Sequence, residues 1–353
     1  MHVLVVGAGP TGLTTALELA RRDIEVTIVD RRDQASAFSR AVGILPPSLR
    51  IFEQSGVAER LLDEGMHYRK VNFHRGGSRI GSASLSGGDP DYDFILGLAQ
   101  DRTEAILCDA LGECGVSVDY NKSLTRLSQS PETVHATFGD GSATEFDYLV
   151  GADGIKSTVR DELGFDFAGL EVPDDWSIAD VDAEGWHAND AFTVCRMSGG
   201  RVAVVAPLEP TRYRVIANRP DALSQLQIPM NVTNIRREAT FKIEVRQVEQ
   251  YRSGRVFLAG DAAHCHSPVG GRGMNLGIAD GAALAQCLMD GDPDRYQAVR
   301  HPEGARTIEL SERGRKFVTG PERINGIVFY AATKLVSLLP NMQKRLASFV
   351  LNG

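Results

Sequence analysis

Cysteine is scarce in this chain. The five residues, Cys108, Cys114, Cys195, Cys265 and Cys287, are scattered, odd in number and form no CxxC pair. They cannot supply a disulfide framework, so the chain is expected to rely on an apolar core in a reducing, cytoplasmic compartment. No stretch of 18 apolar residues occurs, which removes the usual signature of a membrane-crossing helix. The nearest approach, residues 324–339, is interrupted by Lys334 and bounded by Pro340, and it predicts a packed C-terminal helix. The first strand starts at once, with no basic and apolar leader before it, so no secretory signal is expected. Positive charge is not in surplus: 38 basic residues face 46 acidic ones, for a net charge of −8. That balance opposes a general nucleic-acid role, because phosphate binding needs a basic face. Internal repeats and low-complexity tracts are also missing, which excludes a solenoid.

The 353 residues, 42% hydrophobic and 24% charged, suffice for one large domain or two mid-sized ones. Residues 2–6 form a short apolar run ending at glycine, the pattern of a buried parallel strand. Residues 11–22 carry leucines at helical spacing, and 24–29 form a second strand ending at Asp30. Strand, glycine turn, helix and strand make a βαβ unit. Pro46 and Pro47 open a further helix, and Asp101 is expected to cap a helix over 102–114. Gly76-Gly77 sits between two strand-like runs as a hairpin turn, and residues 175–248 read mostly as strands. From about residue 274 the pattern is helical. The expected fold class is α/β: a Rossmann-like domain interleaved with an antiparallel β-sheet domain, followed by C-terminal helices. Residues 1–67, 98–165 and 250–300 are assigned to the first domain, 68–97 and 166–249 to the second, and 301–353 to the helical segment.

Gly7-Ala8-Gly9-Pro10-Thr11-Gly12 fits G-x-G-x-x-G between a strand and a helix, and Asp30 follows Gly12 by 18 residues. Gly7 permits the tight turn, Gly9 lets backbone approach a pyrophosphate, and Gly12 lets helix and strand pack closely. The helix start offers free N–H groups and a positive dipole to phosphate. Asp30 is suited to accept hydrogen bonds from a ribose diol. The motif alone does not choose between FAD and NAD, because both carry an adenosine diphosphate half.

Two later segments repeat the theme. Residues 148–160 contain Gly151-Ala152-Asp153-Gly154 after an apolar strand. Residues 254–275 contain Gly260-Asp261-Ala262-Ala263-His264 and then Ser267-Pro268-Val269-Gly270-Gly271-Arg272-Gly273-Met274-Asn275. In each, an aspartate leaves the end of a strand, where open α/β sheets bind ligands. With these three segments in this order, nearly the whole chain resembles the class A flavoprotein monooxygenases, the aromatic hydroxylases of para-hydroxybenzoate-hydroxylase type. The absence of a Trp-x-Trp-x-Ile pattern near Trp176 separates it from the flavin halogenases.

The resemblance implies FAD as cofactor. It places Gly7, Gly9, Pro10, Thr11 and Gly12 at the pyrophosphate, Asp30 at the ribose, and Arg40 near the pyrophosphate. Gln100 would contact the flavin, assisted by Arg102. Asp153 would serve FAD and pyridine nucleotide, and Asp261 the ribityl or phosphate region. Gly273, Met274 and Asn275 would present backbone N–H groups to the flavin pyrimidine edge, Gly271 would also contact the cofactor, and Pro268 would line the substrate side. Arg31, with Arg32, is either an adenosine or phosphate contact or an exposed charge pair. The implied reaction uses NAD(P)H, as a transient visitor without its own domain, and O2. It hydroxylates a phenolic or polyketide-like substrate through a flavin C4a-hydroperoxide. Epoxidation or drug modification is the alternative chemistry, and a flavin-binding regulatory protein without turnover is the alternative class. A plain NAD-dependent dehydrogenase would lack flavin absorbance. No metal is expected, since His264-Cys265-His266 is accounted for by the third segment. A homo-oligomer is left open. The sequence departs from the family at Ser267 and Val269, where a second proline and a small polar residue are common, and residues 219–237 are short. His67, His74, Tyr213 and Arg214 are unranked candidates for the substrate pocket, and the catalytic base is unassigned.

Overall fold

The computed structural model describes residues 1–35 and 41–352, so Arg40 lies outside the described residues. Its centre is a six-stranded sheet ordered Arg252–Ser253, Val256–Leu258, Tyr148–Gly151, His2–Val6, Glu25–Val29, Val118–Asp119. All neighbours except the Arg252–Ser253 edge pair run parallel. Val3, Leu4 and Val5 are fully buried, as expected for a strand covered on both faces. The helices Pro10–Ala20 and Gly273–Met289 pack on one another beside this sheet. Their close approach is set by small residues. A Cβ on Gly277 would lie 2.2 Å from Thr11 Oγ1, and one on Gly281 would lie 2.7 Å from Thr15 Oγ1.

A seven-stranded sheet is contributed by two distant segments. Its order is Asn231–Phe241, Trp176–Glu184, Arg212–Ala217, Val202–Glu209, Ala191–Arg196, Lys70–Arg75, Ser78–Ser84. The expected antiparallel pattern holds with one exception: Ala191–Arg196 runs parallel to Lys70–Arg75, where the two segments meet. One face of this sheet buries Ala179, Val181, Cys195, Val205, Tyr213 and Val215 under residues 222–232. The other carries Ile178, Asp180, Arg214 and Ile216, the alternate positions of the same strands. Tyr213 therefore belongs to the outer core, whereas Arg214 faces the opposite way.

Two local expectations are corrected. The helix expected from 102 spans Gln100–Glu113 with Ala99 at its N-cap, so Asp101 sits inside the first turn, where it still favours the helix dipole. The apolar stretch 324–339 is not packed throughout. The helix Ile327–Leu338 buries Phe329 and Thr333, while Ile324, Ile327 and Leu338 are about 70% exposed. Among the described residues, no helix is long and apolar enough to cross a membrane.

Candidate active site

The three glycine junctions meet because their strands are parallel neighbours in register. Val6 stands opposite Gly151, and Gly151 opposite Leu258. The ladder continues one residue beyond each strand. Gly7 N–H donates to Val29 O (2.8 Å), Ala152 N–H to Val6 O (2.8 Å) and Ala259 N–H to Gly151 O (3.0 Å). Residues 7, 152 and 259 thus form one row at the carboxyl edge, the place where such sheets receive ligands. Asp30 follows the adjacent strand on the same edge.

The first turn separates two glycines that packing requires from one that it does not. Gly7 has φ +105°, and a Cβ there would lie 2.4 Å from Ala152 O. A Cβ on Gly12 would lie 1.9 Å from Gly7 O. Protein packing explains both. Gly9 has φ −81° and ψ 178°, open to any residue, and a Cβ there would meet no atom within 4 Å. Neither backbone strain nor packing requires glycine at position 9. Glycine there leaves the backbone open to close approach by a ligand. Pro10 occupies the first turn of the helix, where its missing N–H costs nothing. Thr11 turns toward the third junction, against Gly260 and Gly277.

Asp30 is already engaged. Its Oδ1 accepts from Arg32 N–H (2.8 Å) and Arg32 Nε (3.1 Å). Its Oδ2 accepts from Ala8 N–H (2.7 Å) and Arg32 Nη2 (2.9 Å). Burial alone would raise this carboxyl, but Arg32 and the two backbone donors hold it below the usual range. Arg31 is exposed; its neighbour Arg32 is the residue that reaches into the crevice. Arg32 Nη1 also approaches Glu104 Oε2 at 3.4 Å. Glu104 Oε1 accepts from Gln100 Nε2 at 2.8 Å, and Gln100 Oε1 accepts from Ala41 N–H at 3.4 Å. Arg102, two residues along the same helix, is exposed and paired with Glu64 through Nε and Nη2 at 3.0 and 2.9 Å. The structure therefore does not bring Arg102 to Gln100 and Glu104.

Asp153 turns its carboxylate along its own chain. Ser157 Oγ donates to Oδ1 (2.5 Å) and Val159 N–H to Oδ2 (3.2 Å), which fixes the start of the helix Thr158–Glu162. Burial raises this carboxyl against those two bonds. Arg160, on the buried side of this helix, donates to Ala262 O at 3.2 Å and so ties the second junction to the third. At the third junction Asp261 is exposed in the turn Gly260–Ala262, while Asp280 is wholly buried behind it. Asp280 accepts from Gly260 N–H (3.0 Å) and Arg300 Nε (2.7 Å), and pairs with His264 Nε2 (2.6 Å). Burial works against the ionised form, yet His264 and Arg300 keep this carboxyl below the usual range.

The helix Gly273–Met289 points its start at the same edge. Its first bond closes from Leu276 N–H to Arg272 O at 2.8 Å, so the N–H groups of Gly273, Met274 and Asn275 have no acceptor within the helix. The Asn275 side chain clamps this start to the preceding loops. Oδ1 accepts from Leu45 N–H and Ser48 Oγ, both at 2.8 Å, and Nδ2 donates to Gly43 O and Gly271 O at 2.9 and 3.0 Å. All four of its hydrogen-bonding positions are filled. His266 lies beside Gly273, and burial pushes its imidazole down to about 4, so it is neutral at ordinary pH. Gly271 and Pro268 are exposed on the connecting loop. Val269 packs against the buried cluster of Val172, Trp176, Ile243 and Val245, as do Ile216, Phe241 and Ile308, which joins this loop to the larger sheet. Across the crevice, Arg214 is bidentate to Asp180 (both 2.6 Å) and donates to Ala41 O at 3.2 Å. Among the described residues, no cluster of His, Cys, Asp and Glu is arranged to hold a metal.

These residues fit a dinucleotide. There is a glycine whose Cβ position is open, a helix start with free donors at one end of the edge, and an acidic residue at the other. The chain matches the family model of the FAD binding domain over residues 1–222 and 207–291. It is 30% identical to a 6-methylpretetramide 4-monooxygenase of Streptomyces rimosus, over 100% of this chain and 68% of that protein. It is 31% identical to a rifampicin monooxygenase of Rhodococcus hoagii, over 92% of this chain and 74% of the relative. The solved structure of an anhydrotetracycline hydroxylase from Streptomyces rimosus superposes with a TM-score of 0.78 at 28% identity, covering 99% of this chain and 76% of that one.

Proposed function

This chain belongs to the class A FAD-dependent aromatic hydroxylases and is an FAD-dependent monooxygenase; we propose that it uses NAD(P)H and O2 to hydroxylate a phenolic or polyketide-like ring in the cytoplasm. The observation that carries this reading is the single row formed by residues 7, 152 and 259, with Gly9 open to a ligand. When bound, FAD supplies the redox chemistry, accepting a hydride and delivering oxygen to the ring. The protein binds, orients and excludes water. Gly9 admits the pyrophosphate, and Asp30 receives the ribose. The N–H groups of Gly273, Met274 and Asn275 provide fixed donors where negative charge grows on reduction. The Asn275 clamp keeps those donors oriented. The loop through Pro268 and Val269 forms the substrate side together with the sheet face bearing Ile216 and Phe241. The 6-methylpretetramide and rifampicin in the names of the relatives support an aromatic natural product here.

The test is a panel of phenols and polyketides incubated with the FAD-loaded protein and NADH or NADPH. Cofactor oxidation and products 16 mass units heavier are followed together (~16, one oxygen atom). The expected outcome is substrate-stimulated consumption with an oxygenated product, whose structure distinguishes ring hydroxylation from epoxidation. Consumption that yields only peroxide with every compound would sink the hydroxylase reading. A yellow protein with no substrate-stimulated consumption would point to flavin binding without turnover.

A further inference from the structure

Arg32 stands between two buried carboxylates that belong to different elements. Asp30 ends the second parallel strand, and Glu104 lies one turn inside the helix Gln100–Glu113. All four hydrogen-bonding positions of the Asp30 carboxylate are used, two of them by the Arg32 guanidinium. A ribose diol bound at Asp30 needs acceptor positions, and the two backbone donors cannot leave without unmaking the turn. The guanidinium is the group able to give way, since its side chain is 32% exposed while those of Asp30 and Glu104 are 8% and 3% exposed.

We infer that Glu104 is a positioning residue for cofactor binding: it receives Arg32 when the adenosine ribose displaces that guanidinium from Asp30. The inference rests on the FAD reading above. Arg32 Nη1 already lies 3.4 Å from Glu104 Oε2, so the transfer is a shift of the side chain's end. Gln100 Nε2, bonded to Glu104 Oε1 at 2.8 Å, fixes the carboxylate so that Oε2 faces Arg32. Without Glu104 the displaced guanidinium would lose its anionic partner at the moment of binding. Glu104 need not touch the cofactor; it acts through Arg32.

The experiment is a double-mutant cycle on FAD affinity, read by quenching of flavin fluorescence on titration into apoprotein. Glu104→Gln keeps the size of the side chain and an acceptor for Gln100. It is expected to weaken FAD binding about tenfold, the scale of one charge-assisted contact. Arg32→Met removes the guanidinium that needs a receiver. In that background Glu104→Gln is expected to change affinity by less than about twofold. An unchanged affinity in Glu104→Gln, or an equal loss in both backgrounds, overturns the inference. Far-ultraviolet circular dichroism of each apoprotein checks that the helix is intact. If Glu104→Gln unfolds, Glu104→Ala replaces it in the cycle, and if Arg32→Met unfolds, Arg32→Gln replaces it, with the same two outcomes deciding. Failure of the unaltered chain to bind FAD would instead overturn the functional reading itself.

Discussion

Gly9 and Gly12 are three residues apart and are glycines for different reasons. At position 12 the obstacle is the chain itself, with Gly7 O only 1.9 Å from a would-be Cβ. At position 9 nothing in the protein stands in the way, and the residue is the N-cap of the helix Pro10–Ala20, where serine is favoured. Gly9→Ser should therefore leave the apoprotein's stability within about 0.5 kcal/mol while weakening FAD binding by roughly tenfold or more. Gly12→Ala should destabilise the apoprotein by about 1–3 kcal/mol, since backbone must move. Urea denaturation of both apoproteins and an FAD titration separate the two. Equal destabilisation by both changes would remove the ligand-based account of Gly9. At the same scale, the choice between Arg31 and Arg32 shows what a string of letters lacks. Both are arginines beside an aspartate, and only folding shows that Arg32 bends back to Asp30, Ala8 O and Glu104.

At the level of elements, the strand-to-glycine junctions were legible because each is local: an apolar strand, a glycine turn and an acidic residue within a few positions. The struts that hold those junctions were not. Asp280 meets Gly260, His264 and Arg300 across 20, 16 and 20 residues, and Arg160 reaches Ala262 across 102. A buried aspartate in an otherwise apolar helix, Ile278-Ala279-Asp280-Gly281, was the one signal available, since an ion in that position needs partners. The helix Gly273–Met289 depends on this strut. Asp280→Asn leaves Arg300 without its buried anion and is expected to cost about 3–5 kcal/mol, measured by equilibrium denaturation. The sign with pH follows from the lowered carboxyl. Its contribution is complete above the unfolded value of 3.8 and fades as pH falls through the still lower folded value. The acid limb below about pH 4 should therefore flatten in the variant, and an unchanged limb would assign acid loss to other carboxylates. Asp101 illustrates the ordinary uncertainty of helix ends, which a one- or two-residue shift of the cap suffices to explain.

For the whole molecule, amphipathic periodicity predicted the C-terminal helices but not what covers them. Helical spacing of apolar residues shows that a face exists; which surface meets it depends on the rest of the fold. In the structure, Phe329 and Thr333 pack inward, with Thr333 and Ser337 against Gly81 of the larger sheet, while Ile327 and Leu338 stay outside. Ile327→Ser with Leu338→Ser should then leave unfolding free energy within about 0.5 kcal/mol, because little apolar burial is lost. A loss of about 2 kcal/mol or more in urea denaturation would mean these side chains are covered in solution. The fold and its FAD cofactor were readable from three motifs, whereas the apolar cluster that brings Val269, Ile216, Phe241 and Ile308 to Trp176 is joined by no single motif.

The row of residues 7, 152 and 259 has a bearing on how the enzyme matures. Its third member enters the sheet only once synthesis has passed residue 259, and the helix Gly273–Met289 follows it. A nascent chain on the ribosome can fold its βαβ start, yet the row is incomplete until these later segments emerge. Products truncated or stalled before residue 259 should therefore leave the ribosome without bound flavin and colourless.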